Sequence, residues 1–216
     1  MIEAAIFDCD GTLVDSETLS LQVLVDYAAE LGLQLTHDEA MQRFAGTNLS
    51  LVFAELQDRM FGTLPLDHVE EFRRRQIKVL RADLKEVEGA ASLLGAMRLP
   101  FCVASNAPQK KIRVCLDTTG LRRYFEEDAI HSAYDIDRWK PDPGLFLRAA
   151  DQLGVPSSRC AVVEDSRPGV EAGLAANMQV FALDPKCELR QVPELSGEHG
   201  NLRFIDSLVE LNSHFT

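Results

Sequence analysis

The sequence lacks closely spaced cysteines. Its five cysteines are scattered through 216 residues and form no Cys-x-x-Cys motif. Together with their odd number, this spacing argues against both a disulfide framework and a zinc site. Cys9, Cys102 and Cys160 lie in strand-like apolar runs. Free cysteines in such runs behave as small hydrophobic residues, and we interpret all three as core side chains.

Long apolar runs are also missing, and basic residues are scarce. No stretch approaches the roughly 20 apolar residues of a membrane-spanning helix, and the apolar start has neither a basic leader nor a cleavage site. Lys and Arg number 22 against 34 Asp and Glu, which gives a net charge of −12. This charge disfavours binding to nucleic-acid backbones. We therefore expect a cytoplasmic protein that binds neither nucleic acid nor membrane and is a monomer or weak dimer.

The pattern of apolar residues changes along the chain. Hydrophobic residues make up 46% of the sequence, enough for the core of one α/β domain with a modest insertion. Residues 16–87 show helical spacing with breaks that suggest about four helices, whereas short apolar runs alternate with helical patterns from residue 88 onward. We predict a doubly wound, Rossmann-like α/β core with a parallel sheet, formed by residues 1–15 and 88–216, and an inserted α-helical cap domain, 16–87.

Two acidic residues follow the first apolar run, Ala4–Phe7, in the segment Asp-Cys-Asp-Gly-Thr at positions 8–12. An apolar run that ends in acids and glycine is typical of a buried strand whose carboxyl end meets the site of an open α/β sheet. The two-residue period of an extended chain sends Asp8 and Asp10 to the same side. One carboxylate can then attack or hold a metal while the other moves a proton. The alternative is an ordinary acidic turn.

Polar residues that suit phosphate follow two further segments. Ser105 and Asn106, after the run Phe101–Ala104, offer a hydroxyl, an amide and backbone N–H groups, although either residue would also serve as a helix cap. Lys140 precedes a proline and offers a positive charge, although a Lys-Pro pair is commonly a helix lead-in.

Glu164 and Asp165 follow another strand-like run, Ala161–Val163. Their carboxylate oxygens suit Mg²⁺, which binds through one or two carboxylates and keeps several waters. The alternative is an acidic helix cap formed by Glu164-Asp165-Ser166. Because the carboxyl ends of parallel strands meet at one edge of a sheet, we expect all of these polar groups to lie along that edge.

The order Asp-x-Asp-Gly-Thr, Ser-Asn, Lys-Pro and Glu-Asp resembles the haloacid dehalogenase superfamily of phosphohydrolases, and the resemblance covers the whole chain. Residues 8–16, followed directly by a helical insertion, resemble the subgroup that holds β-phosphoglucomutases and small sugar-phosphate phosphatases. Residues 134–143 (Tyr-Asp-Ile-Asp-Arg-Trp-Lys-Pro-Asp-Pro) are most similar to bacterial 6-phosphogluconate phosphatases.

This resemblance implies a role for each matching residue. Asp8 matches the nucleophile, which forms an aspartyl-phosphate, and Asp10 matches the acid that protonates the leaving alcohol and then activates water. The magnesium ligands would be Asp8, the backbone carbonyl of Asp10 and Asp165, with Glu164 in or next to the metal shell. The implied phosphate ligands are Thr12, Ser105, Asn106 and Lys140. For Thr12, a side chain that only fixes the turn is the alternative.

The cap is expected to select the substrate, a small phosphorylated metabolite, by closing over its leaving group. The segment Gly46-Thr47-Asn48 is a candidate substrate-contact loop, and a helix break with an N-cap is the alternative. Arg73 lies on one helical stripe with Val69, Ile77 and Leu80, where its guanidinium could meet a sugar-acid carboxylate. The alternative is an ion-paired arginine, or one that extends its charge to solvent.

The resemblance therefore implies a Mg²⁺-dependent phosphatase of a sugar phosphate or sugar acid, with 6-phosphogluconate as the narrower candidate. A β-phosphoglucomutase-like mutase is the alternative, but its cap histidine is absent from the matching residues 17–20. A dehalogenase would lack the acid at Asp10. A non-catalytic regulator on the same scaffold is a further alternative, which four intact motifs disfavour.

Overall fold

A computed structural model describes residues 1–44, 49–195 and 200–215. The chain divides into two compact units, one formed by Met1–Val14 with Lys85–Thr216 and the other by Asp15–Leu84. In the first unit, Val14 bridges both Asp10 and Glu86, which ties residues just after Lys85 to this unit. That the second unit acts as a substrate-selecting cap stays a prediction.

The described part of the Asp15–Leu84 unit consists of four helices around an apolar core. They are α1 (Glu17–Glu30), α2 (His37–Phe44), α3 (Leu49–Arg59) and α4 (His68–Asp83). A capping box begins α2, since the Glu39 N–H donates to Thr36 Oγ1 and the Thr36 N–H donates to a Glu39 carboxylate oxygen. Leu24, Tyr27 and Phe53 belong to the core that these helices bury.

The buried face of α4 differs from the predicted stripe. Its buried residues are Phe72, Gln76 and Leu80, so the inward face is centred one residue before Arg73, which is half-buried. The guanidinium of Arg75 packs over the Tyr27 ring, with Cζ 4.7 Å from the ring centroid.

In its described residues, the first unit is built on a six-stranded parallel sheet with the order β3-β2-β1-β4-β5-β6. The strands are β1 (Ala4–Phe7), β2 (Phe101–Ser105), β3 (Ile130–Ser132), β4 (Cys160–Glu164), β5 (Gln179–Leu183) and β6 (Leu202–Ile205). The helices are α5 (Ala90–Ala96), α6 (Gln109–Thr119), α7 (Gly144–Leu153), α8 (Arg167–Ala175) and α9 (Asn212–Phe215). The predicted doubly wound α/β fold is confirmed, and β6 is a strand that the sequence patterns did not indicate.

Apolar side chains cover both faces of this sheet, as a parallel sheet requires. All four residues of β1 are fully buried. On one face Ile6 belongs to a cluster that includes Phe146 of α7. The Phe7 ring makes edge contacts with Phe101 and Phe215. Central β1, with β2 and β4 paired on its two sides, therefore delivers its carboxyl end from a rigid core.

Within the described residues, no helix is both long and apolar enough to cross a membrane.

Candidate active site

Asp8 leaves β1 beside the end of β4. Its backbone N–H donates to the carbonyl of Val163 at 2.9 Å, which continues the parallel register of Phe7 with Val163. The Asp8 side chain is 9% exposed. The tight turn that follows returns N–H groups of Leu13 and Val14 to the carbonyl of Cys9. The acidic segment therefore begins as a buried strand extension, which an ordinary solvent-facing acidic turn does not explain.

Gly11 brings this turn against the loop that follows β4. Its φ of +85° lies in the left-handed region, and a Cβ built on it would stand 1.9 Å from Asp165 Oδ2. On the same side, the hydroxyl of buried Thr12 donates to Asp165 Oδ1 at 2.7 Å. The structure thus brings Thr12 and Asp165 together, and the Thr12 hydroxyl proton is engaged by a carboxylate. Phosphate binding by Thr12 stays a prediction.

Lys140 lies between two buried carboxylates. Its Nζ is 2.5 Å from Asp8 Oδ1 and 2.7 Å from Glu164 Oε1. The other Glu164 oxygen accepts hydrogen bonds from the backbone N–H and hydroxyl of Ser166, both at 2.8 Å. Ser166 also caps α8, accepting from the Gly169 N–H, so the helix cap in the segment Glu164-Asp165-Ser166 is Ser166. Glu164 has both oxygens engaged by protein donors.

Burial raises the pKa of Asp8 to about 7, against an ordinary value of 3.8. Lys140 lowers this pKa, whereas the neighbouring charges of Glu164 and Asp10 raise it. Additional positive charge near Asp8 would therefore favour the ionised carboxylate that a nucleophile requires.

Ser105 and Asn106 lie where β2 ends. Ser105 is buried, and its Oγ accepts from the Ala107 N–H at 3.1 Å. The Asn106 Oδ1 accepts from the backbone N–H of Lys140 at 2.9 Å. Neither residue caps α6, whose N-cap is Pro108 without a side-chain bond, so that alternative is wrong. Asn106 positions the Lys140 backbone, and the phosphate-binding role of both residues stays a prediction.

Lys111 is a site residue that the motifs do not reveal. Its Nζ lies 2.8 Å from Asp10 Oδ1, and the side chains of Lys111 and Asp10 are 16% and 25% exposed. Burial lowers the pKa of Lys111, but Asp10 and Cys115 more than compensate, so this pKa lies above its ordinary range. The available signal was the position of Lys111 on the first turn of the helix that follows Ser105 and Asn106.

The charges of the site suit a hard divalent cation. The site contains four carboxylates (Asp8, Asp10, Glu164 and Asp165) and two ammonium groups (Lys111 and Lys140), which leaves an excess of negative charge when all are ionised. Oxygen donors of this kind are those that Mg²⁺ prefers. Asp8 and Asp165 flank the Gly11 turn, and the backbone carbonyl of Asp10 follows in the same segment. These residues fit a magnesium ion that also keeps water ligands.

Comparison with known proteins identifies the family. Residues 5–183 match the haloacid dehalogenase-like hydrolase family. The chain belongs to this family.

The hydrolase is similar to named phosphatases over most of its length. It is 38% identical over 181 residues to the 6-phosphogluconate phosphatase of Escherichia coli K12, covering 83% of this chain and 81% of that protein. It is 32% identical over 217 residues to hexitol phosphatase B of the same strain, covering 98% and 92%. The predicted resemblance and the prediction of a phosphatase enzyme are confirmed.

A solved structure extends this likeness to the three-dimensional fold of the hydrolase. The haloacid dehalogenase family hydrolase of Deinococcus radiodurans, solved with bound phosphate and sodium, is 30% identical and superposes with a TM-score of 0.79. The match covers 100% of this chain and 98% of that one.

The remaining predicted site residues belong to the predicted cap segment, 16–87. Gly46, Thr47 and Asn48 lie outside the described residues. Arg73 lies on α4 of the other compact unit. Their roles stay predictions.

Proposed function

We propose that this hydrolase is a Mg²⁺-dependent phosphatase of small phosphorylated sugars or sugar acids, with 6-phosphogluconate as its preferred substrate. The observation that carries the proposal is the buried Asp8 carboxylate at the end of the central strand, paired with Lys140 at 2.5 Å and followed two residues later by Asp10. The relatives named for 6-phosphogluconate and hexitol phosphatases support the substrate class.

In the first half-reaction, an Asp8 carboxylate oxygen attacks phosphorus and the bond between phosphorus and the ester oxygen breaks. Asp10 donates a proton to the departing alcohol oxygen, so that a neutral alcohol leaves. Lys140 keeps Asp8 in place and lies near enough to offset charge on the phosphoryl oxygens. The chemistry that Mg²⁺ supplies when bound is positive charge that offsets the repulsion between carboxylate and phosphate.

In the second half-reaction, Asp10 takes a proton from water, the water oxygen attacks the aspartyl-phosphate, and the bond from phosphorus to Asp8 breaks. Inorganic phosphate leaves, and both carboxylates return to their starting states. Asp10 therefore has to exchange protons in both directions. Its partly exposed side chain suits that role better than the buried Asp8.

We propose that residues 16–87 select the substrate. We keep Gly46, Thr47 and Asn48 as a proposed substrate-contact segment and Arg73 as a proposed contact for a sugar-acid carboxylate. The planar fork of an arginine binds a carboxylate through two parallel hydrogen bonds. Arg73→Ala should then reduce kcat/KM for 6-phosphogluconate more than for glucose 6-phosphate, and equal losses would contradict this role.

The deciding experiment measures phosphate released from a panel of sugar phosphates, sugar-acid phosphates and nucleotides with Mg²⁺. Wild type should release phosphate, with 6-phosphogluconate preferred over glucose 6-phosphate. Asp8→Asn should lose this activity, whereas Asp151→Asn, on the exposed face of α7, should retain it. Activity in Asp8→Asn would contradict the mechanism, and an isomeric sugar phosphate formed with little free phosphate would indicate a mutase.

A further inference from the structure

A group of sulfur and oxygen atoms surrounds the side chain of Asp10. The Sγ atoms of Cys9 and Cys115 and a carboxylate oxygen of Asp10 all lie within 4.8 Å of one another. Both thiols are buried, and both are free. In the described ranges, no other three Cys, His, Asp or Glu side chains are grouped this closely. The proposed phosphatase reaction uses neither thiol.

Two elements of the core unit build this group. Cys9 and Asp10 are consecutive in the turn after β1, and Cys115 lies on α6, one turn after Lys111. Residues four apart on a helix lie on the same side, so α6 presents both Cys115 and Lys111 to the turn. The cysteines are far apart in the sequence, which is why their spacing did not indicate a metal site.

We propose that Cys9, Cys115 and Asp10 form a binding site for a thiophilic divalent cation of the Zn²⁺ and Cd²⁺ class, whose occupancy inhibits the hydrolase. Two thiolates and one carboxylate are a donor set that Zn²⁺ accepts in tetrahedral geometry, with a fourth position for water. With Zn–S of about 2.3 Å and Zn–O of about 2.1 Å, tetrahedral ligand atoms stand about 3.5–3.8 Å apart. Metal binding therefore requires side-chain rotation that brings the three ligand atoms closer together.

The donor atoms separate this site from the magnesium site. Soft thiolates select Zn²⁺-like cations, whereas Mg²⁺ prefers the oxygen atoms of Asp8 and Asp165. On binding, each thiol releases its proton to solvent, and no oxidation or reduction takes place. The inhibition rests on the proposed function, because an Asp10 carboxylate held by a cation cannot exchange protons with the leaving group or with water.

Lys111 is the natural competitor for such a cation. Its ammonium lies 2.8 Å from Asp10 Oδ1, so a bound metal has to displace a positive charge that already neutralises this carboxylate. Unlike the two buried thiols, the Asp10 and Lys111 side chains are partly exposed. A neutral residue of similar length at position 111 should therefore strengthen metal binding.

The test is a titration of the full Mg²⁺-loaded chain with Cd²⁺, followed by the ultraviolet thiolate-to-Cd²⁺ charge-transfer band. Wild type should bind one Cd²⁺ through two thiolates. Cys115→Ser and Cys9→Ser should each weaken binding by about a hundredfold or more, since loss of a direct ligand exceeds the 10–100-fold effect of outer-shell changes. The matched control is Cys187→Ser, which removes an exposed thiol and should leave the affinity unchanged. Lys111→Met should bind about tenfold more tightly.

The band requires no turnover, so it reports on this site whether or not the chain is a phosphatase. A missing band in wild type, an unchanged affinity in Cys9→Ser and Cys115→Ser, or a band that Cys187→Ser abolishes would each overturn the proposal. Should the serine variants fail to fold, equal or weaker Cd²⁺ binding by Lys111→Met overturns it as well. Full phosphate release by the Cd²⁺-loaded wild type would contradict the inhibition.

Discussion

The ammonium of Lys140 lies 2.5 Å from Oδ1 of Asp8 although the two residues are 132 positions apart in the chain. This ion pair is buried, and Glu164 shares the same ammonium at 2.7 Å. The proposed nucleophile is therefore held by a charge that the fold itself supplies.

Lys140→Met should both destabilise the fold and abolish turnover. The change leaves the Asp8 and Glu164 carboxylates buried without their cation, and breaking a buried pair costs about 3–5 kcal/mol. Urea unfolding should show a loss of this size in the free energy of unfolding, and kcat should fall at least about a hundredfold. Lys110→Met, at an exposed position, is the matched control. A stable and active Lys140→Met protein would contradict the assigned role.

The metal-free protein should lose stability as pH rises from about 4 to 7 through the contribution of Asp8. Its folded-state pKa of about 7 lies above its ordinary value of 3.8, so the folded state holds a proton that the unfolded state has released over this range. Thermal melting with a chelator should show this slope, and Mg²⁺ should oppose it. Asp8→Asn has no such proton to lose, and an identical slope in this variant would exclude Asp8 as the source.

Asp10→Asn should separate the two half-reactions when the substrate is an aryl phosphate. A good leaving group departs without a proton donor, so the first step survives, whereas water activation still needs a base. Rapid mixing should show a burst of about one phenolate per chain, followed by turnover that is about 10²–10⁴-fold slower than wild type. Asp8→Asn should show no burst. A burst of the same size in both variants would exclude Asp8 as the nucleophile.

Gly11→Ala should impair activity as well as strain the backbone at this position. Gly11 and Gly120 both have a positive φ, but a Cβ meets Asp165 Oδ2 at 1.9 Å in the first and nothing within 4 Å in the second. Both variants carry the left-handed penalty of about 1–2 kcal/mol. Only Gly11→Ala should also weaken Mg²⁺ activation and lower kcat. Equal losses of activity in the two variants would contradict a role for the contact with Asp165.

Much of the core and of the site follows from local patterns. Asp8, Ser105 and Glu164 each end a short apolar run, and a parallel sheet brings such ends to one edge. The strand β6 was not predicted, because Arg203 interrupts its apolar pattern. The strand lies at the edge of the sheet, and Ile205 is its one fully buried residue.

Residues whose partners come from another element were harder to predict. The ion pair of Lys111 with Asp10 depends on how α6 is rotated against the turn after β1, and no local spacing encodes that rotation. Asn106 has a side-chain amide that could bind phosphate, yet the oxygen of this amide accepts a hydrogen bond from the backbone N–H of Lys140. On α4, the buried residues Phe72 and Gln76 lie outside the stripe that contains Arg73.

The bridge between Val14 and Glu86 has a consequence for protein engineering. It is antiparallel, and the Val87 N–H also donates to the carbonyl of Leu13 at 2.9 Å, so the chain departs from and rejoins the sheet unit at neighbouring points. The cost of closing a loop grows only slowly with its length. We therefore predict that residues 15–84 can be exchanged: grafting the corresponding segment of a related hydrolase between these two points should change the ratio of kcat/KM values among sugar phosphates and leave phosphate release itself intact.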